Sequence, residues 1–434
     1  MMDIHSSNPP SLATQFTYFH SSHTSLQHLK QPTMDNNLLA MLAAAGASLV
    51  QLNNTIISIA AAGAAITYLG KMWNTYEPYY GDGGQARYTR FLLNEVRPEL
   101  FREITRMERS TFNSLVEELK FNRLLKDGRS VCVEEQVLIF LDIVCHNNAM
   151  RQTAVKFWRG LYTVTRYFGL VLDSLVNIYP NYVKFNMESC IQPDDISKNP
   201  RYKAFKNALG AIDGVFIPAT VPANIQSPWR NRKGFIAQNV LAAVNFNFEF
   251  VYVLAGWEGS AHDTRVFNNA TSKGLKIPQR KYFLADTGYG LRQGLMTPFR
   301  GVRYHLKEQA KAGLKPANKK ELYNLRHATL RNIVERIFGC IKRKFPILHS
   351  APEVELKKQV HLIYALCTLW NYIRTHKRLE NLFDDPDKEQ RVVQTTNTDD
   401  EAFNVADEDS MMKHRRDRLA NKLFLQYVTY KRQN

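Results

Sequence analysis

The sequence predicts an α/β fold, a mixed sheet flanked by helices, with an all-α helical region ahead of it. Two apolar runs of strand length each lead into an aspartate followed closely by glycine, at Asp213 and at Asp286. A third acidic residue, Glu335, lies in a helical pattern that runs from Leu330 to Gly339. Because a side chain at a strand end points out of the edge of a sheet, where ligands are commonly held, we expect these acids to meet on folding.

The N-terminal part is predicted to be separate from this core. Residues 1–36 are rich in polar residues without a period, which predicts disorder. In the apolar segment 37–75, polar residues between Gln51 and Thr55 divide Leu38 to Gly70 into halves shorter than the roughly 20 residues that a bilayer requires. The Ala-rich halves favour two packed helices, with a membrane segment as the alternative. Tyr76 to Gln85 is predicted to be a linker.

Residues 88–200 are predicted to be helical, because apolar residues recur at helical spacing between Phe101 and Leu119. The run from Val137 to Val144 fits either a buried helix or a strand. A short helical pattern, a turn at Gly160 and a second helical pattern then form a helix-turn-helix layout, whose polar residues Thr163, Thr165 and Arg166 would face DNA. An ordinary helical corner explains the same pattern at least as well.

The α/β core is predicted at residues 205–380. Its predicted elements are a strand into Asp213, strands at Phe235 to Val244 and Phe248 to Ala255 with a hairpin turn at Asn245 to Phe248, a helix at Ala261 to Ala270, strands at Lys281 to Ala285 and Arg303 to Leu306, a basic loop at Glu308 to Lys319, the helix of Glu335, and a helix at Val360 to Tyr372. Three strands, a helix, another strand and a late helix with an acid is the order expected of an RNase H-like core.

Two compositionally distinct segments follow. Residues 381–412 are predicted to be a flexible acidic spacer, because Asp384 to Asp409 holds 10 Asp/Glu against 2 Lys/Arg. Residues 413–434 open with a basic run, Lys413 to Arg418. This run suits a nuclear import signal, a phosphate-binding helix or a solvated tail.

Charge is the unusual feature of the composition. The 434 residues carry 57 Lys+Arg against 40 Asp+Glu, a net charge of +17, and Arg300 to Lys344 alone has 13 Lys/Arg against 3 Asp/Glu. A basic surface around a cluster of carboxylates indicates a polyanionic substrate. The 5 cysteines are scattered without a Cys-x-x-Cys pair, which argues against a disulfide framework or a zinc site and fits a reducing compartment.

Two strand-end aspartates and a glutamate on a helix suit the capture of divalent cations, Mg²⁺ or Mn²⁺. Two such ions about 3.5–4 Å apart activate the attacking oxygen and stabilise the leaving oxygen in phosphodiester chemistry. Asp213 is the expected bridging ligand, and Asp286 and Glu335 each complete one ion. Asp263 is either a further ligand or an anchor of its loop through Arg265 and His262. Crowded acids also predict at least one raised carboxylate pKa when metal is absent.

Each acid also has a purely structural interpretation. Asp213 and Asp286 suit turn formers, and Glu335 suits a helix-surface partner of Arg331 or Arg336. Their occurrence together, amid so much positive charge, favours the metal site.

Four blocks resemble the signature blocks of the PIF/Harbinger transposases: Ala-Ile-Asp-Gly at 211–214, Gly-Trp-Glu-Gly-Ser-Ala-His-Asp-Thr-Arg-Val-Phe at 256–267, Leu-Ala-Asp-Thr-Gly-Tyr at 284–289 and Ile-Val-Glu-Arg-Ile-Phe-Gly at 333–339. Arg109-Ser-Thr-Phe112 and Tyr162 to Phe168 resemble the upstream helical region of that family, so that the resemblance covers Tyr88 to Leu379. It implies a DDE endonuclease on an RNase H-like fold, with Asp213, Asp286 and Glu335 as the catalytic triad and Asp263 in a metal-associated position.

The resemblance also implies cut-and-paste movement of a DNA element, action in the nucleus and a separate Myb/SANT-like DNA-binding protein as partner. We further expect a homo-oligomer and no membrane association. The cations predicted to contact phosphates are Arg230, Arg232, Lys233, Arg265, Lys342, Arg343 and Lys344. Two alternatives stay open: a domesticated, transposase-derived DNA or chromatin-binding protein without nuclease activity, and a general nuclease acting on RNA.

Overall fold

The computed structural model describes residues 36–73, 84–302, 316–376 and 408–433. The chain divides into two units, Met1–Tyr80 and Gly81–Asn434. The predicted disordered N-terminus, the strand at Arg303 to Leu306, and most of the predicted linker, basic loop and acidic spacer lie outside the described residues.

The described part of the first unit is a single helix, α1 (Asn36–Trp73). The prediction of two packed helices is therefore wrong. The central polar residues do not interrupt the helix, because each costs at most about 0.7 kcal/mol of helix propensity, and the hydroxyls of Thr55 and Ser58 each donate at 2.9 Å to the carbonyl four residues earlier. The stretch Ala40–Gly63 has a mean hydropathy of 1.3, is not buried, and could cross a membrane by length and composition alone.

The second unit opens with a helical region. Its described helices are α2 (Gly84–Arg90, continued by a π-helical turn at Phe91–Glu95), α3 (Pro98–Thr105), α4 (Arg109–Phe121), α5 (Val133–His146), α6 (Met150–Phe157), α7 (Leu161–Asn177), α8 (Tyr179–Tyr182) and α9 (Asp194–Ser197). The ambiguous run at Val137 to Val144 is the buried centre of helix α5. Phe101 and Phe112 pack edge to face at 5.4 Å and join α3 to α4.

Helices α6 and α7 are joined by a turn of three residues that starts at Trp158, which has a left-handed backbone (φ 56°). In α7, Val164 and Tyr167 are buried, whereas Thr165 and Arg166 are exposed. The predicted helix-turn-helix layout is therefore present, and its second helix has an exposed polar face. Contact of this face with DNA stays a prediction.

The sheet has five strands in the order β3-β2-β1-β4-β5. The strands are β1 (Ala208–Pro218), β2 (Ala237–Asn245), β3 (Phe250–Glu258), β4 (Tyr282–Leu284) and β5 (Leu295–Met296). The first three are antiparallel neighbours, whereas β4 is parallel to β1 and β5 is parallel to β4. The sequence did not predict β5, because two residues are too few to show a periodicity.

Four further helices lie between or after the strands: α10 (Gln226–Trp229), α11 (Asp263–Ser272), α12 (Lys319–Lys344) and α13 (Leu356–His376). Asn318 caps α12 by accepting hydrogen bonds from the backbone N–H groups of Lys320 and Glu321. Helix α12 packs on β1, and α13 packs on both α7 and β3. The sheet and the helical region consequently share one apolar core.

The last described element is helix α14 (Ser410–Gln433), which packs against α12. Met412, Ala420 and Leu423 are buried in this contact. Arg416 is 4% exposed and donates to the backbone carbonyl of Pro298 at 3.2 Å. Among the three interpretations of the C-terminal basic run, a solvated tail is therefore wrong, because the helix is docked on the core.

The described residues thus form an α/β fold with a mixed five-stranded sheet flanked by helices and an N-terminal helical region. This confirms the predicted fold class at that level.

Candidate active site

Asp213 and Asp286 lie side by side because of the register of two parallel strands. Ala211 of β1 pairs with Leu284 of β4, and each aspartate lies two residues further along its chain. Beyond β4 the chain turns into a 3₁₀ helix, Thr287–Tyr289, with Asp286 as its N-cap residue. Asp286 thus follows the end of its strand as predicted, whereas the prediction that Asp213 ends a strand is wrong, because β1 continues to Pro218 and Asp213 pairs with Ala242 of β2.

Asp263 joins them from helix α11, of which it is the first residue. A Cβ atom added at Gly214 would lie 3.1 Å from Asp263 Oδ1, and one added at Gly288 would lie 3.3 Å from Asp263 Oδ2. Both glycines thus leave the space that this carboxylate fills. The glycine one position after Asp213 and the glycine two positions after Asp286 are needed for this close approach.

Glu335 reaches the site from helix α12 through a bridging cation. Arg331 donates from Nη1 to Asp213 Oδ2 and from Nη2 to Glu335 Oε1, both at 2.7 Å. The three side chains are only 18% (Arg331), 23% (Asp213) and 29% (Glu335) exposed. Glu335 is thus the helical partner of Arg331, as its structural interpretation predicted, and the same arginine ties it to the strand-end cluster.

Burial and crowding raise the pKa of two of the acids. Burial raises the pKa of Asp213 to about 7, the Arg331 guanidinium opposes the rise, and the carboxylates of Asp286, Asp263 and Glu335 add to it. Burial likewise raises the pKa of Asp263, against a hydrogen bond from Asn239. The prediction of at least one raised carboxylate pKa is confirmed. The structure brings all four predicted acids into one electrostatic cluster.

Two neutral oxygens face the same space. Asn239 Oδ1 and the Tyr289 hydroxyl would lie 3.1 and 3.2 Å from a Cβ atom at Gly214. Both are buried and have no hydrogen-bond partner among the described residues. Buried polar atoms of this kind usually meet a water, an ion or a ligand. Four carboxylates, an amide oxygen and a phenol oxygen are the hard donors that Mg²⁺ and Mn²⁺ prefer, so the chemistry of the donor set fits a divalent cation.

The side chains are not yet arranged as ligands of one ion. Across the described ranges, no group of three or more His, Cys, Asp or Glu side chains is close enough to hold a metal ion. Arg331 holds Asp213 and Glu335 from between them. Metal binding therefore requires that this arginine move aside.

The raised pKa of Asp213 predicts a pH-dependent stability in buffer that contains a chelator. Because the folded protein holds this proton up to about pH 7, ionised Asp213 costs stability, and the cost grows as pH rises from about 4 to about 7. Asp213→Asn removes the cost. We expect the variant to exceed the wild type by up to about 3 kcal/mol at pH 8 and by much less at pH 5.

Urea unfolding at both pH values measures this difference, and Asp195→Asn, at an exposed carboxylate, is the control. An Asp213→Asn effect of equal size at pH 5 and pH 8 would contradict the assignment.

Three of the predicted phosphate-contacting cations lie near the acidic cluster or near one another. Arg232 Nη2 is 3.3 Å from His262 Nδ1, and its charge opposes the rise in the pKa of Asp263. Lys342, on α12, is half-buried, and its pKa is lowered first by burial and then by the charge of Lys233. We call Arg232, Lys233 and Lys342 the positive rim; Arg232 lies near Asp263, and Lys342 lies near Lys233.

The other four predicted cations are placed differently. Arg230 donates to the backbone carbonyl of Gly234 at 2.5 Å and braces its own loop. The Arg265 guanidinium lies 5.4 Å from the centroid of the Trp257 ring, and Arg343 Nη2 lies 3.2 Å from Cys340 Sγ. Lys344 acts electrostatically on Cys145 of the helical region. Of these four, Arg230, Arg265 and Arg343 are exposed, whereas Lys344 is half-buried.

Sequence reasoning did not single out Asn239 and Tyr289, and it took Arg331 for a surface partner. A signal was available for Asn239, because it is one of three polar residues in strand β2, every residue of which is buried. Tyr289 is one of many tyrosines. The role of Arg331 depends on the distance between α12 and β1, which no local pattern encodes.

Comparisons with known proteins agree with this arrangement. The family described as DDE superfamily endonuclease matches residues 212–371, which include all four acids. A domain of unknown function, DUF8040, matches residues 85–177 in the helical region. The curated protein named "Protein ALP1-like" from Arabidopsis thaliana is 22% identical over 354 residues, which are 75% of this chain and 82% of that protein. No solved structure matches the chain. The match over residues 212–371 and the similarity to the ALP1-like protein support a Harbinger-type family of DDE superfamily nucleases for this chain.

Proposed function

We propose that this protein is a metal-dependent DNA endonuclease that cleaves phosphodiester bonds at the ends of a DNA element and transfers the resulting 3′-hydroxyl ends to target DNA. One observation carries the proposal: strand register, an α-helix start and a long helix bring Asp213, Asp286, Asp263 and Glu335 into one cluster. The order of their elements also supports an RNase H-like core.

We assign the metal-holding and catalytic roles to Asp213, Asp286 and Glu335, with Asp263 as a further ligand. When bound, Mg²⁺ or Mn²⁺ supplies Lewis-acid activation of the attacking oxygen and charge stabilisation at the leaving oxygen. Asn239 and Tyr289 supply oxygens beside Asp263. In the metal-free protein Arg331 neutralises part of the carboxylate charge, and once it moves aside its guanidinium is available to a phosphate.

The DNA substrate is supported by the family and by the charge. The net charge of +17 and the rim of Arg232, Lys233 and Lys342 suit a phosphate backbone. Action in the nucleus, a Myb/SANT-like DNA-binding partner and a homo-oligomer are further parts of the proposal, and they rest on the resemblance to transposases.

A second function is favoured by one feature of the site. The two ion pairs of Arg331 satisfy Asp213 and Glu335 without any metal. A transposase-derived DNA or chromatin-binding protein that no longer cleaves would tolerate such a locked cluster. Its DNA binding would be indifferent to chelators and to substitution of the acids.

The deciding experiment is cleavage of supercoiled plasmid and of terminal-repeat duplexes with Mg²⁺, Mn²⁺ or EDTA. We expect cleavage with either metal, none with EDTA, and a rate lowered at least about 100-fold in Glu335→Gln, which corresponds to about 2.7 kcal/mol. Glu321→Gln, at the other end of the same helix, should cleave like the wild type. Equal cleavage by the wild type and Glu335→Gln would remove Glu335 from the mechanism, and faster cleavage of matched RNA would favour a general nuclease.

A further inference from the structure

A second concave site lies on the far side of helix α12 from the acids. It is a cleft of about 280 Å³ between α12, α14 and the loop after α9. Leu322 and Leu423 are its buried apolar residues. We call it the arginine–tyrosine cleft after its polar lining residues, which are Asn199, Arg201, Arg326, Gln426, Tyr427 and Tyr430.

The cleft carries excess positive charge. Arg201 is exposed and Arg326 is half-buried, and no acidic residue is among the described residues that line the cleft. Burial and the like charge of Arg201 lower the pKa of Arg326, although the Tyr202 hydroxyl offsets part of the shift. An anion between the two guanidinium groups would relieve this strain, and a phosphate is the anion that arginine recognises best.

The cleft also offers aromatic surface next to that charge. Tyr427 is half-buried and Tyr430 is 65% exposed. The Arg326 guanidinium lies 6.0 Å from the Tyr202 ring centroid, and Lys431 Nζ lies 5.6 Å from that of Tyr427. Aromatic rings beside cations suit stacking of a nucleobase whose phosphate meets the arginines. The amides of Asn199 and Gln426 can donate to and accept from a base edge.

Helix geometry separates this cleft from the acidic cluster. Arg326 and Glu335 are nine positions apart on α12, which at 100° per residue places them on opposite faces, about 13.5 Å apart along the axis. A ligand in the cleft is therefore not at the reacting phosphate. A volume of about 280 Å³, near the lower end of small-molecule pockets, admits one nucleotide and excludes a stacked duplex.

We propose that the arginine–tyrosine cleft binds an unpaired nucleotide of DNA, with its phosphate between Arg201 and Arg326 and its base on Tyr427. The proposal rests on the proposed function only in taking DNA as the ligand. It gives helix α14 a role in substrate binding as well as in the core.

Fluorescence anisotropy of the full chain with labelled (dT)12 in EDTA tests the proposal without any cleavage. We expect Arg326→Ala and Tyr427→Ala each to weaken binding about 10-fold, and Arg326→Ala to lower the salt slope by about one. Tyr427→Phe, which keeps the ring, should bind within about twofold of the wild type. Arg432→Ala, on an exposed site across α14 from the cleft, should have an effect of less than about threefold.

Competition identifies the source of the ligand. Unlabelled (dT)12 should displace the probe far better than dTMP, and inorganic phosphate should compete least; equal competition by phosphate would overturn the role of the base. If Arg326→Ala does not fold, Arg201→Ala at the exposed arginine takes its place. Unchanged (dT)12 binding in folded Arg201→Ala and Tyr427→Ala would overturn the proposal, even where metal-dependent cleavage is intact. If the variants weaken (dT)12 binding as expected but the wild-type protein cleaves no DNA, the nuclease proposal fails and the cleft proposal stands.

Discussion

Asp213→Asn is expected to slow metal-dependent cleavage of plasmid DNA at least about 1,000-fold, which corresponds to a loss of about 4 kcal/mol of transition-state stabilisation. Asp213, on β1, is the acid at the centre of the cluster, since its pKa responds to all three other acids. The substitution removes a negative oxygen from the expected bridging position and also removes an acceptor of Arg331. The rate of plasmid nicking at saturating Mg²⁺ measures the effect.

Misfolding would not explain such a loss. Because ionised Asp213 costs stability above about pH 7, the Asn variant should be at least as stable as the wild type at the pH of the assay. Asp195→Asn should cleave normally. Nicking by Asp213→Asn within about tenfold of the wild-type rate would contradict the assigned role.

The largest expected effect on stability lies outside the site, at a buried ion pair in the helical region. Glu135 on α5 is 1% exposed and Arg159 is 4% exposed. Arg159 donates from Nε to Glu135 Oε1 at 2.6 Å and from Nη2 to Glu135 Oε2 at 3.1 Å. Glu135→Gln removes the carboxylate charge that pairs with this buried guanidinium. We expect it to lower the free energy of unfolding by about 3–5 kcal/mol.

The neighbouring residue is a matched control. Glu134 pairs with Lys120 at 2.6 Å, but these side chains are 28% and 38% exposed, so Glu134→Gln should cost less than about 1 kcal/mol. Urea unfolding of the full chain compares the two variants. Replacing both partners, as Glu135→Leu with Arg159→Met, should cost less than Glu135→Gln, because no charge is left buried. Equal losses of unfolding free energy in the Glu134 and Glu135 variants would show that the buried pair contributes no more to stability than the exposed pair.

The two strands that carry the site's first aspartates were predictable because their signals are local, although β1 continues past Asp213 to Pro218. An apolar run into Asp213 became β1 (Ala208–Pro218), and the predicted strand at Lys281 to Ala285 became β4 (Tyr282–Leu284). The aspartate after each run, followed by glycine, located both carboxylates. The two aspartates are adjacent because β1 and β4 are parallel neighbours in matching register. This pairing is tertiary structure, which no local sequence signal encodes.

The remaining features could not be read from periodicity. The run at Val137 to Val144 is apolar except at Asp142, so that its membership of helix α5 depends on what packs around it. The continuity of α1 depends on hydroxyl groups bonding to the backbone rather than breaking the helix. The docking of α14 depends on a partner helix about a hundred residues earlier in the chain, and the bridging by Arg331 depends on β1 lying beside α12.

The most direct test of the central claim is a crystal structure of the protein grown or soaked with Mn²⁺, with anomalous scattering recorded to locate the ion. We predict Mn²⁺ between Asp213, Asp286 and Glu335, with the Arg331 guanidinium moved off both carboxylates, because one cation must replace another in the cluster. A protein that binds no Mn²⁺ there and keeps both Arg331 ion pairs would contradict the enzymatic account.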